Sequence, residues 1–122
     1  MCIRDSLQAV AGDAFHAVPP DCDTYLFVNV LHDWSDDDAC RLLRVARTAL
    51  GSAGRVVVVE QERRAVPIDD IGTRTDLLML ALTPGGRERT TAAFARLAGA
   101  ADLRLDTSVT LASGDRAHVL RP

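Results

Sequence analysis

Two short runs of nearly unbroken apolar character organise the first half of the chain: "TYLFVNV" (Thr24 to Val30) and "RVVVVE" (Arg55 to Glu60). Both are rich in β-branched or aromatic residues, and such continuity suits strands buried on both faces, the habit of parallel sheets. Between them Ala39, Leu42, Leu43, Ala46, Ala49 and Leu50 recur at helical spacing. Ser35 is placed to cap this helix, with Asp38 completing a capping-box pattern, and Asp36, Asp37 and Asp38 suit the positive end of the helix dipole. Gly51 and Gly54 are expected to end it. Arg41, Arg44 and Arg47 fall on a different stripe, which predicts a solvated face. Strand, helix, strand in this order is a βαβ unit.

The pattern changes after Glu60. A polar stretch with Pro67 leads to a second helix, predicted from about Asp69 to Leu82, and "TPGG" (Thr83 to Gly86) breaks it sharply. A third helix, "TTAAFARLAGAA", has Thr90 or Thr91 as N-cap and turns Phe94, Leu97, Ala98 and Ala101 inward. The remainder alternates in hydropathy around Ser113-Gly114-Asp115, which predicts a β-hairpin. Two parallel strands with helices, closed by an antiparallel hairpin, make a thin α/β sheet. Such a unit is expected to be part of a larger α/β domain.

Composition narrows the classes. A chain of 122 residues, 48% apolar and 25% charged with net charge −3, reads as one soluble globular unit. There is no basic footprint for nucleic acid. No apolar run approaches the roughly 18 residues of a membrane helix, and no signal peptide is read at the start. Cys2, Cys22 and Cys40 lack metal-ligand spacing, so neither a metal site nor a disulfide framework is expected, and a reducing cytoplasm fits. "MCIRDS" matches nothing that follows; residues 1–6 are read as a leader foreign to the domain, and 7–122 as the domain itself.

In open parallel sheets, ligands bind beyond the carboxyl ends of the strands. His32 lies just past the first strand and Glu60 ends the second. Neighbouring strands run ~5 Å apart, so the imidazole and the carboxylate are expected to reach one cleft as a general base and its partner. Other readings are blander. A histidine before a helix is usually a surface or capping residue, Trp34 reads as packing, and Asp33 reads equally as a loop hydrogen-bonder or a ligand. His16 and His118 read as structural. Glu88, between two arginines before a helix, would by itself be a cap or ion pair.

Four motifs then come together: "GDAF" (Gly12 to Phe15), "VNVLHDWSDDDA", "GRVVVVEQ" and "TPGGRERT". In this order and spacing, from about Leu7 to Pro122, the chain resembles the S-adenosylmethionine-dependent O-methyltransferases of the plant caffeate type and the bacterial polyketide- and carotenoid-tailoring type. The resemblance implies the C-terminal part of a class I, Rossmann-like methyltransferase domain. It implies methyl transfer from S-adenosylmethionine to a hydroxyl of a small molecule, without a metal. His32 matches the base, and Glu60 and Glu88 match two carboxylates flanking it, one orienting the imidazole and the other lining the site. Asp13 and Ala14 match positions at the adenosine of the cofactor; Asp33 and Met79 match positions near the acceptor, with Met79 holding an aromatic ring. A homodimer formed through an N-terminal helical domain is also implied.

The resemblance has gaps. The family's glycine-rich cofactor loop and its ribose-binding acid would precede "GDAF", where "MCIRDS" stands, so the isolated chain is expected not to bind cofactor measurably. Ala14 stands where relatives often carry a bulkier residue. Thr83 replaces an asparagine of the plant enzymes, which points to an acceptor other than a plant phenylpropanoid. Two alternatives stay open: a same-fold enzyme that uses the cofactor without methyl transfer, as a decarboxylase or hydroxylase, and a non-catalytic piece. Relatives of the first kind tend to lose the histidine.

Overall fold

A computed structural model describes residues 6–63 and 71–122. Strand β1 (Thr24–Val28) is followed by helix α1 (Asp36–Ala49) and strand β2 (Arg55–Glu60), then helices α2 (Ile71–Leu82) and α3 (Thr91–Ala100), and finally strands β3 (Arg104–Thr110) and β4 (Arg116–Arg121). The sheet order is β1-β2-β4-β3. β1 runs parallel to β2 with Val28 opposite Val59, whereas β4 is antiparallel to both β2 and β3. This is the expected α/β arrangement of a βαβ unit closed by a hairpin. The first residues of the second predicted helix, Asp69 and Asp70, lie outside the described residues.

Alternation along the strands decides which face is covered. Tyr25 and Phe27 of β1, Val56 and Val58 of β2 and Leu120 of β4 are buried, together with Ala39, Leu42, Leu43 and Ala46 of α1 and Phe94, Leu97 and Ala98 of α3. These form one apolar cluster, so α1 and α3 share one face of the sheet. The expectation that β1 and β2 are buried on both faces is corrected here: α1 and α3 cover one face, while on the other parity Leu26 and Val28 of β1 are exposed and Val57 and Val59 of β2 are half-buried. Val109 of β3 is exposed as well.

The caps follow the sequence. Ser35 accepts the Asp38 N–H at 3.2 Å and opens α1, and Thr90 accepts the Ala93 N–H at 3.1 Å and opens α3. Of the two threonines left open above, Thr91 is used differently: its N–H and hydroxyl both donate to Glu62. Gly114, at φ +93°, makes the β3–β4 turn.

One boundary needs correction. The first strand stops at Val28 rather than Val30, because Asn29 takes the left-handed conformation (φ +53°) that asparagine tolerates better than most residues. The arginine stripe of α1 lies at the surface as expected, with Arg41 and Arg44 exposed and Arg47 half-buried, and it also makes bonds. Arg44 donates twice to the Ala100 carbonyl (2.8 and 3.1 Å) and Arg47 donates to the Asp102 carbonyl (3.1 Å). Both therefore serve the C-terminal end of α3, where the helix leaves carbonyls without intrahelical partners. Arg41 pairs with Asp38 and lies 5.1 Å above the Phe15 ring.

Candidate active site

The site begins where β1 ends. Asn29 keeps the parallel ladder for one more bond, donating to the Val59 carbonyl at 3.0 Å. A single 3-10 turn, Leu31–Asp33, then drives Leu31 fully into the core and presents His32 toward the surface. The His32 side chain is 13% exposed, so the imidazole is reachable but largely desolvated.

Two carboxylates hold this histidine, and they hold different parts of it. Glu60, at the end of β2 and fully buried, accepts the His32 backbone N–H on Oε1 at 2.9 Å. Glu88, also buried, accepts from His32 Nδ1 on Oε1 at 3.0 Å. Glu60 and His32 do converge at the strand ends, but the partner of the ring is Glu88. The idea that the glutamate of the adjoining strand shares a proton with the imidazole is corrected in this way: the 3-10 turn aims the backbone of His32, not its ring, at Glu60. Glu88 arrives beside them because residues 62 and 89 form a parallel bridge, with Arg63 donating to the Arg89 carbonyl at 2.9 Å.

An ionised carboxylate only accepts, so the shorter of the ring's two carboxylate contacts, that with Glu88, places the imidazole proton on Nδ1 and makes Nε2 the accepting nitrogen. Nε2 faces Asp33, whose Oδ1 lies 3.4 Å away and is half-exposed. Burial has a price for both glutamates. It pushes the Glu60 carboxyl up to about 7, despite the opposing His32 N–H bond and the His32 and Arg89 charges. Burial likewise raises Glu88, against its bond to His32. Glu60 Oε2 and Glu88 Oε2 are buried with no hydrogen-bond partner among the described residues.

Two supporting residues, Arg89 and Asp76, gave no signal of their own in the sequence, and a third, Gly86, was marked only as part of a chain break. Arg89, buried between Glu88 and α3, donates to the carbonyls of Leu31 and Trp34 and to Asp36, each at 2.9 Å. Asp76 of α2 accepts the Glu88 N–H at 2.8 Å and pairs with Arg63 at 3.3 Å. Gly86 lies so close to the His32 turn that a Cβ there would sit 2.5 Å from the His32 carbonyl oxygen. The "TPGG" break thus lets the chain pass against the histidine's backbone, with Gly85 at φ +89°.

The remaining positions lie outside this hydrogen-bonded group. Asp13 and Ala14 sit on an exposed stretch and line an open cavity of about 520 Å³ formed by residues 10–14 and 16–20. That stretch is tied to the histidine turn by an edge-to-face contact of Phe15 with Trp34, centroids 4.8 Å apart, so Trp34 packs as expected. Asp13 accepts the Phe15 N–H at 2.9 Å and pairs with exposed His16 at 3.0 Å, and the first of these bonds holds its carboxyl below the usual range. Met79 is half-buried on α2, three residues beyond Asp76. Another cavity, about 490 Å³ between α1 and α3, does not include His32 among its lining residues. His118 is structural, buried against Phe94 with Ser108 2.7 Å from its Nδ1, and burial lowers its proton affinity. Among the described residues, no three His, Cys, Asp or Glu side chains gather to hold a metal ion, and no helix is long and apolar enough to cross a membrane.

Comparison with known proteins agrees with this architecture. The family model of the O-methyltransferase domain matches residues 2–104. A mitomycin biosynthesis 6-O-methyltransferase of Streptomyces lavendulae is 36% identical over 115 residues, covering 92% of this chain and 32% of the relative. A caffeic acid 3-O-methyltransferase of Capsicum chinense is 38% identical over 105 residues, covering 79% and 29%. Among solved structures, mitomycin 7-O-methyltransferase superposes with a TM-score of 0.88 at 35% identity, over 96% of this chain and 34% of that one. An O-methyltransferase from neocarzinostatin biosynthesis, solved with S-adenosylmethionine and 2-hydroxy-5-methyl naphthoic acid, superposes with 0.83 at 32% identity, over 93% and 33%. The chain spans about a third of the length of these relatives. It belongs to the family of S-adenosylmethionine-dependent O-methyltransferases.

Proposed function

We propose that the protein carrying this chain transfers the methyl group of S-adenosylmethionine to a hydroxyl of a small aromatic or polyketide-like acceptor, with His32 as the general base. The observation that carries the reading is the 3.0 Å bond from His32 Nδ1 to buried Glu88, which leaves Nε2 as the accepting atom of the ring. A phenol titrates near 10 and a free imidazole near 6.5, so the proton transfer is uphill by roughly 5 kcal/mol without help. Negative charge on Glu88 stabilises the imidazolium as it forms. Glu60 fixes the backbone of the same residue, so the base is held at two points. Positioning of acceptor and base supplies the rest of what the chain can offer.

Asp13 and Ala14 would hold the adenosine portion of the cofactor, and Asp33 and Met79 would face the acceptor. When bound, the cofactor supplies a methyl group already activated on a sulfonium. The relatives' acceptors, among them caffeic acid and mitomycin precursors by their names, support a hydroxylated ring as substrate. We further propose a homodimeric, cytoplasmic enzyme, and an isolated chain that does not bind cofactor measurably by calorimetry. The test of the main reading is transfer of labelled methyl by the complete enzyme. His32→Ala should lower the transfer rate by about 10²–10⁴ with little change in either KM. An unchanged rate would refute the assignment of the base.

A further inference from the structure

The turn that carries His32 is poorly supported by itself. It is three residues long, and Val30 at its start provides no side-chain cap. A 3-10 turn of that length makes few bonds of its own and needs partners from elsewhere to hold one geometry.

Arg89 meets that need. Its guanidinium is 2% exposed, and its N–H groups are directed at specific acceptors. Nη1 donates to the Leu31 carbonyl and Nη2 to the Trp34 carbonyl, both at 2.9 Å, while Nε donates to Asp36 at the start of α1, also at 2.9 Å. The two carbonyls bracket His32 and Asp33. The clasp therefore spans the residue that bears the imidazole, and its neighbour in sequence, Glu88, holds the imidazole itself. The positive charge also faces the buried carboxyls of Glu60 and Glu88, which between them face His32, Asp76 and each other.

We propose that Arg89 is a positioning residue for the base: by clasping the turn at Leu31 and Trp34 it sets the direction in which His32 presents Nε2. This rests on His32 being the base. Arginine suits the task because its planar fork reaches several acceptors in fixed directions; a lysine ammonium keeps the charge but cannot span both carbonyls and Asp36.

The experiment compares Arg89→Lys with the parent in two ways. In the complete enzyme, kcat should fall on the order of 10- to 100-fold while the KM values for cofactor and acceptor stay within about twofold, as expected for a small misplacement of a reacting group. In ¹⁵N-histidine NMR spectra of the chain, the hydrogen-bonded Nδ1–H signal of His32 should broaden or vanish. A folded Arg89→Lys variant with parental kcat and an unchanged His32 ring signal overturns the proposal. Should that variant fail to fold, Asp36→Asn decides. Asp36 is exposed and α1 keeps Asp37 and Asp38 in its first turn. The variant weakens the outer end of the clasp together with the 2.8 Å pair of Asp36 with Arg87, so Arg87→Ala, which removes that pair alone, is measured beside it as the control. A fewfold loss of kcat with a perturbed ring signal supports the clasp, and parental values for both overturn it. If His32→Ala leaves transfer intact, the base assignment falls, and the ring signal alone then decides whether Arg89 orders the turn.

Discussion

Replacing Glu60 with glutamine changes one charge and almost no volume, and the carbonyl of the new side chain can still accept the His32 N–H that Oε1 accepts at 2.9 Å. What it removes is a carboxyl that burial pushes from an ordinary 4.5 to about 7. The folded state therefore holds this proton more tightly than the unfolded state. The stability it contributes is fully present below about pH 4.5 and is lost as the pH rises through about 7. The difference of about 2.5 units corresponds to an upper figure of about 3 kcal/mol at about 1.36 kcal/mol per unit. Glutamine carries no such pH dependence. Its amide buries donors where Oε2 now has no partner among the described residues, at a pH-independent cost of about 1–3 kcal/mol. Urea unfolding of both proteins from pH 4.5 to 9, with m-values checked for constancy, separates the two effects. Glu60→Gln should be the less stable protein at pH 5 and should draw level with or pass the parent by pH 8.5. Glu88 shifts in the same direction, whereas His118, Glu62 and Asp13 are lowered and act in the opposite sense; all are present in both proteins and largely cancel in the difference. Parallel stability curves would refute the claim that Glu60 is a strained buried acid.

Gly86→Ala places a methyl group 2.5 Å from the His32 carbonyl; methyl transfer by the complete enzyme should fall at least tenfold, with the His32 amide resonance displaced. Arg44→Ala strips two bonds from the end of α3 and should cost about 1 kcal/mol in urea unfolding, because the freed carbonyl can reach water. Phe94→Ala empties a site only 1% exposed beneath the sheet and should cost about 3–5 kcal/mol. Asp13→Asn should raise the KM for S-adenosylmethionine several-fold and leave that for the acceptor unchanged, as steady-state kinetics of the complete enzyme would show.

Much of the architecture was legible because it is local. Apolar continuity marked β1 and β2, Ser35 and the Thr90-Thr91 pair marked the starts of α1 and α3, and Ser113-Gly114-Asp115 marked the hairpin turn. The strand ends then placed His32 and Glu60 together, as the rule for parallel sheets requires. Glu88 stood out only through the resemblance, since it lies 56 residues from His32 and no periodicity links the two. Which atom meets which carboxylate was not legible either, because it depends on the twist of a three-residue turn and on the left-handed Asn29 before it. The arginines of α1 lie at the surface as their spacing indicates, but their bonds were not legible, for a related reason. Spacing shows that Arg44 and Arg47 leave the core stripe, but not that the end of α3 waits there with open carbonyls. Arg89 is charged yet buried, a combination that hydropathy patterns cannot signal.

The claim that organises all of this is that Glu88 acts on the reaction through His32. Single-turnover methyl transfer measured for the complete enzyme, for His32→Ala, for Glu88→Gln and for the double variant tests it most directly. Groups that work as one unit are strongly non-additive, so the double variant should be no slower than His32→Ala alone. Losses that multiply in the double variant would show two independent contributions and contradict the pairing of this imidazole with this carboxylate.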